Sequence, residues 1–228
     1  GILTPAALTR AATATHDALL DLGKARDGRT RLITTNFDRL FEEVIKAKGL
    51  AVERFRAPLL PVPKNRWDGL VYLHGLLPNP LTASELDRLV VSSGDFGLAY
   101  LNERWAARFV SELFRNYTVC FVGYSINDPV LRYMMDALAA DRLLGESPPD
   151  MYAFGSFSKG REDDRKNEWR AKNVTPILYQ EHNHHSYLHK TLRAWADTYR
   201  DGVLGKERIV VEYAMARPLA STRQDDFV

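Results

Sequence analysis

Two spacings of apolar residues take turns along this chain: stripes that recur every three or four positions, and short unbroken runs. These are the marks of helices and of buried strands. Ala6, Ala7, Leu8, Ala11, Ala12, Ala14, Leu19 and Leu20 fall within residues 5–22 with no internal proline or glycine, which predicts a helix ending near Gly23. After the polar turn Ala25-Arg-Asp-Gly-Arg, Arg31-Leu-Ile-Thr-Thr reads as a short strand, and Leu40, Phe41, Val44 and Ile45 mark a helix that follows Asn36-Phe-Asp. Gly69-Leu-Val-Tyr-Leu-His-Gly is apolar almost throughout, as a strand covered on both faces must be, and its polar exit is His74-Gly75. Leu101, Trp105, Phe109, Leu113 and Phe114 recur at helical spacing and predict an amphipathic helix over residues 98–116.

Thr118 to Val122 is a further buried strand, closed by the tight turn Gly123-Tyr-Ser-Ile-Asn. Asp128 as N-cap and Pro129 at the first helical position then open a helix to about Leu143. Met151 to Phe154 and Val174 to Tyr179 are strand candidates on either side of the charged, helix-like stretch Lys159 to Lys172, and Ser186 to Tyr199 is a last helix. This alternation predicts an α/β fold: a doubly wound, mostly parallel Rossmann-like sheet with helices on both faces, in one domain over residues 1–205. Residues 206–228, with Ile-Val-Val-Glu-Tyr after Arg208, read as an extra strand or a linker leaving the domain.

Composition narrows the partners. With 45% hydrophobic and 26% charged residues in 228, the chain is globular rather than disordered. Thirty-one Lys plus Arg against 29 Asp plus Glu leave a net charge of +2, so nucleic acid is not expected to bind this domain. No apolar stretch reaches the roughly 18 residues of a membrane span, and no signal peptide is read at the N-terminus. The single cysteine, Cys120, cannot form an internal disulfide; a core position in a reducing, cytoplasmic compartment is expected.

In an open α/β sheet, ligands bind beyond the carboxyl ends of the strands. Three strands here exit into Asn36-Phe-Asp38, His74-Gly75 and Gly123-Tyr-Ser125, so chemistry is sought at those turns. His182, His184, His185 and His189 also cluster, with His185 and His189 at i, i+4; since only Glu181 stands nearby as a carboxylate, the stretch reads as a loop entering the last helix rather than a metal site. The Lys159 to Lys172 stretch mixes charge signs, as a solvated helix face does.

Thr34-Thr-Asn-Phe-Asp, Tyr72-Leu-His-Gly and Phe121-Val-Gly-Tyr-Ser-Ile-Asn-Asp-Pro, in that order, resemble the three motifs of the sirtuin-like NAD-consuming fold. They are most similar to its zinc-free branch, the effector domain of bacterial antiphage defence systems. Ser93-Gly-Asp-Phe leading to Tyr100, and Val174-Thr-Pro-Ile-Leu-Tyr followed by His185-Ser-Tyr-Leu, are similar to that branch as well. The resemblance implies NAD as substrate, cleaved to nicotinamide and ADP-ribose. It matches Asn36 to the asparagine against the nicotinamide ribose, Asp38 to the aspartate near the carboxamide, and His74 to the catalytic base. Gly123 and Ser125 match the loop on the adenosine side, with Thr34, Thr35, Gly75 and Asp128 beside these positions.

The residue types suit that chemistry. Breaking the N-glycosidic bond builds positive charge at the anomeric carbon, so a positioned water or hydroxyl and a group to take its proton are needed. A neutral imidazole can take the proton, and an amide can orient the nucleophile without titrating. Two departures sharpen the expectation. One cysteine cannot build the four-cysteine zinc module of sirtuin deacylases, and Thr35 stands where they have glutamine; both argue for NAD hydrolysis without zinc and against protein deacylation. The family's first strand and Gly-Ala-Gly phosphate loop have no counterpart between Gly1 and Gly23, so they are expected upstream. A nucleotide-sensing or interaction module without turnover is the alternative. Further domains or partner defence proteins and a homo-oligomer are expected.

Overall fold

The computed structural model describes residues 10–25, 27–64, 67–80, 86–125, 135, 149–199 and 203–215. Asp128 and the helix expected from Pro129 to Leu143 lie outside them. The order is α1 (Arg10–Leu22), β1 (Arg31–Thr34), α2 (Leu40–Lys48), β2 (Arg54–Arg56), β3 (Gly69–Tyr72), the short helical turn α3 (Ser93–Phe96), a π-helix (Gly97–Asn102) and α4 (Trp105–Asn116). Then follow β4 (Val119–Phe121), β5 (Met151–Phe157), α5 (Glu162–Arg170), β6 (Thr175–Gln180), α6 (Ser186–Tyr199) and α7 (Val203–Met215).

Among the described residues the paired strands are all parallel and form two three-stranded sheets, β1-β3-β2 and β4-β5-β6. Alternation along the central strands shows why helices must cover both faces. Leu70 and Tyr72 of β3 pack with Phe41, Val44 and Ile45 of α2 and Leu20 of α1, whereas Val71 and the following Leu73 pack with Phe109, Val110 and Leu113 of α4. In β5, Met151 and Ala153 join the α4 side, while Phe154 meets Leu188 and Leu192 of α6. Burial on both faces explains the unbroken apolar runs in these strands, and the α/β fold with parallel sheets between helices stands as read from the periodicity.

One core serves both sheets. Val71 and Ile33 of the first share the α4 cluster with Phe121, Met151 and Leu178 of the second, and Leu19 of α1 touches both clusters of the opposite face. Side-chain contacts also link the flanking strands β1 and β4 of the two sheets. Among the described residues each is hydrogen-bonded to a strand on one flank, and side chains tie them to each other: the Arg31 guanidinium lies 5.7 Å from the Tyr117 ring centroid before the strands, and the Thr35 and Tyr124 hydroxyls share a 3.1 Å hydrogen bond after them.

Close packing at β5 depends on Gly155. A Cβ there would stand 2.6 Å from the Trp169 indole nitrogen, so only glycine leaves room for that ring to approach the strand this closely. Trp169 is the buried residue of α5, whose other side chains form exposed pairs such as Arg161–Asp164 at 2.9 Å and Arg165–Glu168 at 2.7 Å. That agrees with the solvated face read from its mixed charges.

Three expectations need correction, and one element was missed. The helix expected over residues 98–116 is broken: Arg104 takes a left-handed conformation with φ 60°, α4 begins at Trp105, and Leu101 is left exposed on the π-helix. Periodicity alone does not see this, because a π turn keeps apolar residues on nearly the same side. The segment from Arg208, read as an extra strand or a linker, is helical as far as Met215 and part of α7; Lys206 packs over Tyr199, and Arg208 donates to the Asp197 carbonyl at 3.0 Å, docking α7 on the end of α6. β2 went unread because a three-residue strand flanked by arginines carries no periodic signal. Cys120 is exposed rather than core: Val119 and Phe121 turn to the α4 cluster and leave it on the other face of β4. Crowding by neighbouring protein still pushes its thiol up to about 11, so it is no activated nucleophile.

Candidate active site

The carboxyl ends of β1, β3 and β4 meet at one place, and backbone hydrogen bonds show how. Leu73 N–H donates to the Thr34 carbonyl at 2.8 Å and Leu77 N–H to the Phe37 carbonyl at 2.9 Å. Asn36 and His74 thus sit on two loops joined on either side of them. The Arg39 guanidinium adds a third tie, donating to the Leu77 carbonyl at 2.9 Å. The Thr35–Tyr124 hydrogen bond brings the Gly123–Ser125 turn against the same loops.

Each loop is shaped by local chemistry. The buried Thr34 hydroxyl accepts from the Asn36 N–H at 3.1 Å, and Asp38 Oδ1 accepts from the Leu40 N–H at 3.0 Å, turning the chain into α2. Gly75 is required where it stands. Its φ is +97°, and a Cβ would lie 2.6 Å from Leu89 Cδ2. With the Val90 N–H donating to the His74 carbonyl at 2.9 Å, the reversal pins the histidine in place. Gly123 and Ser125 are exposed on their turn. Asp128 lies outside the described residues.

His74 is 6% exposed, and its Nε2 lies 2.9 Å from the hydroxyl of Tyr100, which is fully buried. Tyr100 is held in turn by Phe96, whose ring stacks on it at 4.3 Å with planes 18° apart. Against Gly75 lies a cavity of about 360 Å³, lined among others by Arg54, Arg56, Arg88, Pro58 and Leu76. Arg56 and Arg88 give this lining positive charge, while the Arg54 guanidinium is paired to Glu42 at 3.4 Å.

The structure adds residues to which the sequence assigned no role. Tyr100 and Tyr124 lie within the motif-like segments, yet nothing in their spacing says which group they touch. His16 was not singled out; its only sequence signal is its place one turn before the buried Leu20 on α1. Its ring meets Phe41 edge-on at 4.8 Å, and its Nδ1 is buried with no hydrogen-bond partner among the described residues. Burial holds the His16 imidazole below its ordinary value, the Asp38 carboxylate opposes that shift, and His189 adds to it.

The sign of the consequence follows. With the folded pKa below the unfolded 6.5, the unfolded chain binds more protons in the window between the two, so stability is full above that window and declines as pH falls through it. The wild-type thermal midpoint should therefore fall from about pH 7 to about pH 5 more steeply than that of His16→Gln; parallel pH profiles would contradict the assignment.

The histidine cluster does not converge. His189 Nδ1 pairs with Thr15 at 2.9 Å, His185 Nδ1 with Tyr179 at 3.0 Å, and His182 stacks on Tyr187 at 5.4 Å. His185 precedes the helix in a left-handed turn with φ 62°, so it does not share a helical face with His189. Among the described residues no group of three or more His, Cys, Asp or Glu could hold a metal ion. Nor is any described helix long and apolar enough to cross a membrane.

Over 221 residues the chain is 31% identical to "Uncharacterized protein y4cA" of Sinorhizobium fredii (strain NBRC 101917 / NGR234), a match that takes in 94% of this chain and 18% of that protein. The chain thus spans about a fifth of that relative's length. Residues 30–177, which include the exits of β1, β3 and β4, match the SIR2-like domain. Domains of this kind use NAD. The chain belongs to the SIR2-like domain family.

Proposed function

We propose that the meeting point of the three strand exits cleaves the N-glycosidic bond of NAD, releasing nicotinamide and ADP-ribose. The observation that carries this reading is the pair of backbone hydrogen bonds, Leu73 to Thr34 and Leu77 to Phe37, that hold the Asn36 and His74 loops together. Asn36 orients the attacking water or ribose hydroxyl with an amide that can donate and accept at once. His74 takes the proton as the new bond to the anomeric carbon forms and nicotinamide leaves with the electrons of the broken bond. Asp38 recognises the carboxamide. Thr34, Thr35, Gly75, Gly123, Ser125 and Asp128 shape the ribose and adenosine side. No zinc is needed in this scheme.

Side-chain ties between β1 and β4, in place of a backbone ladder among the described residues, support one further parallel strand between them. In this reading the family's first strand and its phosphate-binding glycine turn take that position from upstream. The domain would then be the NAD-consuming effector of a larger, oligomeric antiphage protein. The short share of the relative that this chain covers is in keeping with additional domains.

Chromatography of nicotinamide and ADP-ribose after incubation of the upstream-extended chain with NAD tests the reading. Stoichiometric release of both, reduced at least about 10²-fold by Asn36→Ala, supports it. Calorimetric binding of NAD without turnover would point instead to a sensing module, and consumption only with an acyl-peptide would point to a deacylase.

A further inference from the structure

The cavity against Gly75 is separate from the place where the Asn36 and His74 loops meet. The strand order β1-β3-β2 puts the β1 exit, with Asn36, on one flank of β3 and the β2 exit on the other. The cavity lies on the β2 flank, between the turn Arg56–Leu59 and the segment Arg88–Leu89, and neither Asn36, Asp38, Gly123 nor Ser125 lines it. Its volume of about 360 Å³ falls at the low end of small-molecule sites, which suits one ring system with its substituents.

Its lining carries charge of one sign. Arg54 is engaged by Glu42 at 3.4 Å and by the Val52 carbonyl at 2.7 Å. Arg56 and Arg88 have no acidic partner among the described residues, and no described carboxylate lines the cavity. Beside these two cations stands an apolar wall of Pro58, Leu59, Leu76 and Leu89, in which Leu59 is 82% exposed. The Leu59 N–H donates to the Arg56 carbonyl at 3.1 Å, so the turn holds that side chain next to the arginine.

We propose that this cavity is a second ligand site, taking a phosphate monoester carried on a single ring system, with Arg56 and Arg88 on the phosphate and Pro58 and Leu59 against the ring.

A guanidinium forks onto two phosphate oxygens, and two guanidiniums match the charge of roughly −2 that a monoester carries near neutral pH. A carboxylate has one charge and two oxygens, which a single fork already occupies. Both arginines stand on backbone that is fixed to β3. Arg56 pairs with Tyr72 in the sheet, and the next N–H, that of Ala57, donates to the Tyr72 carbonyl at 3.2 Å. Two residues after Arg88, the Val90 N–H donates to the His74 carbonyl at 2.9 Å. Little backbone order has to be created on binding. An anion bridging the two arginines also fastens together the segments that hold the β3 exit.

Calorimetric titration of the full-length protein with adenosine 5′-monophosphate (AMP), adenosine and inorganic phosphate tests the assignment. AMP is expected to bind at a site that Arg56→Gln and Arg88→Gln each weaken by at least about tenfold, the loss of a charge-assisted pair. It should bind at least about tenfold more tightly than adenosine or phosphate. Both arginines are exposed, so the variants should keep the wild-type thermal midpoint without ligand. AMP should raise that midpoint in the wild type and not in the double variant. AMP affinity unchanged in both variants overturns the site. Adenosine binding as tightly as AMP overturns phosphate recognition, and phosphate binding as tightly overturns the role of the ring. NAD cleavage does not enter: a protein that hydrolyses no NAD but binds AMP in this way keeps the site, and one that cleaves NAD yet shows no arginine-dependent AMP binding loses it.

Discussion

His74→Gln is expected to lose NAD cleavage by roughly 10² to 10⁴-fold in kcat, the usual worth of a positioned general base, while staying folded. Glutamine is the informative replacement. Its amide can still bond to the Tyr100 hydroxyl, but it has no titrating nitrogen. Nicotinamide release followed by chromatography, with circular dichroism as a check on folding, separates the two effects. Activity within tenfold of wild type would remove His74 from the role of base. A loss confined to KM would make it a binding group instead. Because the Val90 N–H bonds to the His74 carbonyl, not to its side chain, the loop should keep its course in this variant.

Trp169→Ala should cost about 3–5 kcal/mol of folding stability, the range for emptying a large aromatic site. That is a large share of the roughly 5–15 kcal/mol that holds a domain together. Trp169 is 1% exposed, reaches from α5 into the core shared by both sheets, and lies against Gly155 at a distance that no other residue would allow. The strand opposite offers no side chain at Gly155 to fill the space, and the nearest side chain besides the indole is Leu178. One contribution runs the other way: the indole nitrogen is buried without a hydrogen-bond partner among the described residues, so part of the cost of burying it is recovered. Trp169→Phe isolates that contribution and should lose less than half as much. Urea unfolding of both variants gives the comparison; a Trp169→Ala loss under about 1 kcal/mol would mean that the pocket relaxes.

The elements were readable in proportion to how strongly their burial patterned the chain. Ser186–Tyr199 emerged with the bounds read from its stripe, and β3 and β5 showed themselves as unbroken apolar runs because helices cover both faces. β2 stayed hidden because its few residues alternate in exposure between arginines. Cys120 misled because an apolar run marks a strand but does not say which face a helix will cover. The break at Arg104 and the π-helix before it likewise left no trace in a spacing that suits one long helix.

What the chain's order of residues determined by itself is the alternation of strands and helices, β2 excepted, and the polar side chains left at strand exits, since both follow from local periodicity and from where apolar runs stop. Tertiary structure alone decided which of those groups meet. The Thr35–Tyr124 bond, the His74–Tyr100 bond and the approach of His16 to Asp38 join positions on separate strands and helices, so each depends on how far one element is shifted and turned against another. That placement is set by the filling of the shared core, a sum over many contacts in which no single residue's spacing is recorded.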